Sequence, residues 1–280
     1  MEVLPLLFFA FPSAFLPRDP PIRFTFALSP CKMMSEIFLQ EEEEMHTEDM
    51  VLSFTLERDC IRAALIGEGG EELLSGLCPG TAKISPESLQ AGLQEAFKAL
   101  AEPLEEPLRK VRGLVIHDRL KGFMPFDRNF SLLGPYRGRP EEDTEAAAAY
   151  LSSLFETDLS PDAAIVHLYQ AMRMGESSLD FLNHICTPRT WLYRKLTGEF
   201  VADRADAGDI FPLLPDGTDY DPDMETCFNA LAEADGYPWR VQHLLPQIRE
   251  AGQPIGTLTP EGAFFIDPGC RFKPGIPVLG

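Results

Sequence analysis

"VLSFTLERDCIRAALIGEGGEELLSG", residues 51–76, sets the architecture of this chain. Its apolar runs "VLSFTL", "CIRAALI" and "EELLSG" are each the length of a β-strand, and short polar breaks separate them. "GEGG" at 67–70 predicts a tight turn, because glycine takes the left-handed backbone conformations that such turns need. The other break lies within "TLERDC" at 55–60 and is charged. The stretch reads as a three-strand meander with two chemically different turns.

Downstream, "ISPESLQAGLQEAFKAL" (84–100) places Ser85 as a helix N-cap and Pro86 at the first helical position. Leu89, Leu93, Phe97 and Leu100 then share one face, so the helix is expected to pack on the meander. "RGLVIHD" (112–118) is a nearly continuous apolar run, the pattern of a strand buried on both sides. A meander, a helix and a buried strand predict an α/β domain with a mixed sheet and flanking helices. Beyond the next strand, "FMPFD" (123–127), helices are expected to start at Ser160 and Pro161, with Ile165, Leu168 and Met172 on one face, and again over 176–197 and 221–234.

Composition excludes several classes of function. The chain has 280 residues and is 45% hydrophobic, enough for a full core. Its 24 Lys and Arg against 44 Asp and Glu give a net charge of −20, which opposes attraction to nucleic acid and to anionic membrane surfaces. Six cysteines stand far apart with no zinc-like spacing, as in a cytoplasmic protein with reduced thiols. "VLPLLFFAFPSAFL" (3–16) is apolar, but Glu2 precedes it, no Lys or Arg does, and Pro5 and Pro12 interrupt it. Residues 1–45 are therefore expected to be an unpacked extension ending in a run of glutamates, with the folded domain over 46–280.

Three later segments carry a resemblance. "WLYRKLTGEFVADRADAGDIF" (191–211), "LLPQIREAGQPIGTLTPEGA" (244–263) and "PGIPVLG" (274–280) stand in the order and at the spacing of landmarks in the FGGY carbohydrate kinases. The physics of each is local: Lys195 favours a helix C-terminus and Gly198 can end the helix in the left-handed conformation. Their shared order resembles the N-terminal domain of that family. The resemblance implies a ribonuclease-H-like, actin-like fold, ATP and Mg²⁺ as cofactors, and a sugar or polyol as phosphoryl acceptor. It also implies a second, nucleotide-holding domain and a catalytic aspartate beyond Gly280. These 280 residues alone are thus expected not to phosphorylate a sugar, and a non-catalytic sugar-binding or interaction module is the alternative.

In the family the first turn of the meander holds the ATP phosphates with an acid, a glycine and two small hydroxyl residues. Aligned on "IRAALI", this chain has Thr55, Glu57, Arg58 and Asp59 at those places. Arg58 could contact a phosphate, but its two acidic neighbours repel one, so the turn is expected to have lost the ATP role. On the sugar side, "HDRLKGF" (117–123) stands where the family has a substrate loop, which implicates Asp118, Lys121 and Gly122. Arg137, with Arg139, stands in a second such loop. A plain solvated turn explains both loops equally well.

Asp203, Asp206 and Asp209 are spaced D-x-x-D-x-x-D, which an acidic loop explains more simply than a cation site. No GxSxG, GxGxxG or P-loop motif is present. Phe264, Phe265, Ile266, Phe272, Ile276, Val278 and Leu279 crowd the C-terminal end. They predict an exposed apolar face with an unpaired strand edge, hence self-association or pairing with a separate C-terminal half.

Overall fold

The computed structural model describes residues 49–80, 83–104, 108, 110–138, 142–250 and 252–280. The expected extension over 1–45 lies outside the described residues, as does Arg139.

The meander forms as the sequence predicts. β1 (Met50–Leu56), β2 (Cys60–Ile66) and β3 (Glu72–Pro79) pair antiparallel in succession. Gly70 takes φ 82° in the second turn, where its N–H donates to Gly67 O at 3.0 Å. β4 (Val111–Asp118) then joins β1 in parallel, and β10 (Pro277–Leu279) joins β4 in parallel. With β9 (Gly256–Thr257) antiparallel to β10, the six-stranded order is β3-β2-β1-β4-β10-β9.

α1 (Pro86–Ala101) covers one face of this sheet. Ser85 caps it in a reciprocal box: its Oγ accepts from Ser88 N at 3.2 Å, and Ser88 Oγ accepts from Ser85 N at 2.9 Å. Leu89, Leu93, Phe97 and Leu100 are all buried, each worth about 1.5–3 kcal/mol relative to exposure. Gly76 lets the helix approach β3 closely, since a Cβ there would lie 2.2 Å from Ala96 O.

The rest of the chain is largely helical. α2 (Glu142–Phe155), α3 (Ala164–Arg173), α5 (Arg204–Ile210) and α6 (Pro222–Ala234) build a second apolar cluster around Leu151, Ile165, Leu168, Phe211 and Phe228. α4 (Pro188–Thr197) and α7 (Pro260–Ile266) pack instead with the sheet and α1. A short ribbon of β5 (Met124–Phe126) and β6 (His184–Cys186) and a parallel pair of β7 (Val201–Ala202) and β8 (Gln247–Ile248) complete the strands. α4 ends as predicted, with Gly198 at φ 81°. α3 starts four residues after Ser160, because Ser160–Ala163 closes into its own hydrogen-bonded turn first (Ala163 N to Ser160 O, 3.0 Å).

The expected exposed apolar face at the C-terminal end is not found. Ile266, Phe272 and Val278 are buried, Phe272 lies 5.7 Å from Phe97 ring to ring, and Phe265 meets Trp191 edge-on at 5.8 Å. β10 is an interior strand between β4 and β9, so its edges are paired. Of the seven residues, Phe264 is the one left largely in water, at 58% exposure. Among the described residues, no helix is long and apolar enough to cross a membrane.

Candidate functional site at the carboxyl ends of β4 and β10

Parallel neighbours place their carboxyl ends side by side, and in open α/β sheets ligands collect outside those ends. Asp118 is the last residue of β4, and Gly280 follows β10 so closely that a Cβ on it would stand 2.8 Å from Asp203 Cβ. Between these ends lies a network of charged and hydroxyl side chains.

Asp118 is half-buried. Its Oδ1 accepts from Leu120 N at 2.7 Å, and its Oδ2 accepts from Arg189 N, in the first turn of α4, at 3.2 Å. The Arg189 guanidinium lies 3.4 Å from Asp203 and 3.6 Å from Asp206. Asp206 is buried (2% exposed) and is held by Thr187, whose Oγ donates to Oδ1 at 2.8 Å, and by the hydroxyl of Thr190. Asp203 caps α5 by accepting from Asp206 N at 3.0 Å, and it takes a further bond from Tyr193 Oη at 3.1 Å.

Two carboxyl groups, Asp203 and Asp206, therefore flank the Arg189 guanidinium, and a third, Asp118, accepts from its backbone N–H. Burial pushes the Asp118 carboxyl up to about 7, with the charge of Asp206 adding to it, although the bonds from Leu120 and Arg189 oppose the rise. Burial also raises Asp206, against the pull of Arg189. Asp118 consequently exchanges a proton near neutrality, so it can either donate to or accept from a ligand hydroxyl.

The residues singled out from sequence divide into two groups. Asp118, Lys121 and Gly122 stand together where β4 emerges. Lys121 reaches over to α5, its Nζ 2.8 Å from Asp209 Oδ1, and both it (φ 50°) and Gly122 (φ 89°) are left-handed. Gly122 is required there, because a Cβ would sit 2.2 Å from Arg137 O. Arg137 adjoins this loop through its backbone, with Phe123 N donating to its carbonyl at 2.7 Å, but its guanidinium turns away to Glu176 at 2.5 Å. Arg58 also points elsewhere, donating to Gly138 O at 3.1 Å, while Glu57 pairs with Arg119 at 3.0 Å.

Sequence reasoning missed Arg189, Thr187, Thr190 and Tyr193. The signal available was "TPRT" at 187–190, a cap followed by proline that opens α4. The sequence also made Asp203, Asp206 and Asp209 an acidic loop. They belong to α5, where Asp203 is the cap, Asp206 is buried and Asp209 faces Lys121. Among the described residues, no group of three or more His, Cys, Asp or Glu side chains is placed to hold a metal ion.

This mixed sheet, with its helices, is the fold of the carbohydrate kinases. A gluconate kinase from Lactobacillus acidophilus superposes with a TM-score of 0.64 at 12% identity, covering 82% of this chain and 47% of that one. The xylulose kinase from Rhodospirillum rubrum gives 0.61 at 18% identity, covering 82% and 48%. A Plasmodium falciparum glycerol kinase solved with ADP gives 0.60 at 15% identity, covering 83% and 48%. The chain thus spans about half the length of these kinases. No protein-family model and no curated protein matches its sequence.

Proposed function

We propose that these 280 residues are the sugar-side half of an ATP-dependent carbohydrate kinase, holding a sugar or polyol outside the carboxyl ends of β4 and β10. The observation that carries this reading is the Asp118–Arg189–Asp206 network at that edge, in a sheet whose neighbours are named for xylulose, gluconate and glycerol. Asp118, with a proton exchanging near neutrality, suits a hydroxyl ligand, and Lys121 and Gly122 flank it. A neutral polyol also suits a chain of net charge −20 better than a free polyanion does.

The kinase class implies ATP and Mg²⁺, and the β1–β2 turn does not fit them. Glu57 and Asp59 bring negative charge to where phosphates would lie, the turn has no glycine at 57–59, and Arg58 is committed to Gly138 O. That misfit favours a second reading, a sugar-binding module without phosphotransfer of its own. Where phosphoryl transfer takes place, the nucleotide is held by a separate half, and transfer depends on that positioning. The test is sugar-dependent ADP release by the purified chain, assayed with glycerol, xylulose and gluconate. None is expected; release that depends on both the sugar and Asp118 would overturn the non-catalytic part of this reading.

A further inference from the structure

The six-stranded sheet has a second face. On the first, α1, α4 and α7 join Leu52, Phe54 and Leu56 of β1 and Leu114 and Ile116 of β4 in a single apolar cluster. Successive side chains of a strand point to opposite faces, so the residues between these look the other way. Val51, Ile66, Leu73, Leu77, Val115 and Leu279 do so, and among the described residues none of them enters either apolar cluster. Leu73 and Leu77 are 48% and 56% exposed, and the other four are half-buried.

Strand register gathers these side chains into one patch. Ser75, Ala64, Ser53, Val115 and Leu279 stand in a row across β3, β2, β1, β4 and β10. Val51 pairs with Ile66 one step to one side, and Leu77 pairs with Arg62 one step to the other. Leu279 leans over Gly113, where a Cβ would meet its Cδ1 at 3.3 Å. Ser53 and Ala64 are small, so the row dips between Val51, Ile66 and Val115. At strand spacings of about 4.8 Å and same-face steps of about 6.7 Å, five strands by three rows make roughly 300–500 Å². A standard dimer needs about 800 Å² from each partner, so the patch is too small to hold two copies together. It is the scale of one helix, about 10 Å wide and about 20 Å long. Parallel strands, as β1, β4 and β10 are, carry helices on both faces in α/β proteins.

We infer that this face docks one amphipathic helix of a partner chain, about 14 residues long, with an aliphatic stripe. Leucine or isoleucine at i, i+3, i+4 and i+7 would lie over Val51, Ile66, Val115 and Leu279, with one side chain seated on Ser53 and Ala64. Arg62, bridged to Glu72, and exposed His117 stand along one border, where the polar flank of the helix meets water. Asp118 is not involved, because it points with Ile116 to the covered face and bonds there to α4.

The probe is a fluorescent peptide of about 14 residues, built of leucine, glutamate and lysine with no net charge and with leucines at i, i+3, i+4 and i+7. It is titrated with the full chain and followed by anisotropy. Saturable binding is expected, and none by an isomer of the same composition whose leucines are spread around the helix. Val115→Lys, at the centre of the face, should weaken binding by about tenfold or more. Leu77→Lys, on the exposed rim, should weaken it by a smaller factor without loss of fold, which keeps the test decisive if the Val115 substitution unfolds the chain. Sedimentation of the chain without peptide should show a monomer; a dimer that Leu77→Lys dissolves would assign the face to a second copy and overturn the inference. Absence of saturation, equal binding of the two isomers, or binding indifferent to both substitutions would overturn it as well.

Discussion

Replacing Asp118 by Asn should make the protein more stable at alkaline pH and not at acid pH. The Asp118 carboxyl sits at about 7 in the folded chain because of burial first and Asp206 second, whereas an unfolded aspartate titrates at 3.8. Since the folded value is the raised one, its contribution to stability is fully present below about pH 4 and is lost as pH rises towards about 7. The displacement corresponds to roughly 4 kcal/mol at full burial, and water reaching the half-buried group reduces this to about 1–3 kcal/mol. Asn keeps one acceptor for Leu120 or Arg189 but not both, at a pH-independent cost of about 1 kcal/mol. Urea unfolding of both proteins between about pH 4 and pH 8 reads the effect of Asp118 together with its coupling to Asp206, because carboxylates not coupled to Asp118 cancel in the difference. The variant should begin slightly less stable and gain steadily on the wild type across that interval. A stability difference that is flat with pH, or that moves against the variant as pH rises, would refute the placement of Asp118 beside buried Asp206.

Gly122→Ala should destabilise by more than about 2 kcal/mol, since the new Cβ would meet Arg137 O at 2.2 Å in a backbone already at φ 89°; thermal unfolding reads it. Phe272→Ala should cost about 3–5 kcal/mol, as for a core aromatic, where an exposed residue would cost almost nothing; urea midpoints separate the two cases. Lys121→Ala should change stability by less than about 1 kcal/mol, because its bridge to Asp209 is half in water, so any larger loss in sugar binding on this substitution reports a ligand contact.

Much of the fold was legible because its signals are local. Ser85 and Pro86 start α1, Gly70 turns the meander and Gly198 stops α4, each through the conformation of a few neighbouring residues. The placement of β10 was not legible, since three residues give no periodicity and their pairing with β4 spans more than half the chain. Missing that insertion left Ile266, Phe272 and Val278 without a visible partner and made a buried seam look like an exposed face. At the site, the loop of Asp118, Lys121 and Gly122 could be read from its position after a buried strand. Arg137 and Arg58 could not be followed, because only the tertiary structure turns their guanidinium groups to Glu176 and Gly138. Asp206 read as part of an acidic loop, and its burial depends on Thr187 and Thr190 arriving from another helix.

Calorimetric titration of the purified chain with xylulose, glycerol and gluconate, repeated on Asp118→Ala, bears on the sugar-side reading without requiring any phosphoryl transfer. Saturable binding of at least one of these polyols, weakened about tenfold or more in the variant while its fold persists, is the predicted result. Absence of binding by all three to the folded wild-type chain, or binding that Asp118→Ala leaves untouched, would contradict a sugar site at the carboxyl ends of β4 and β10.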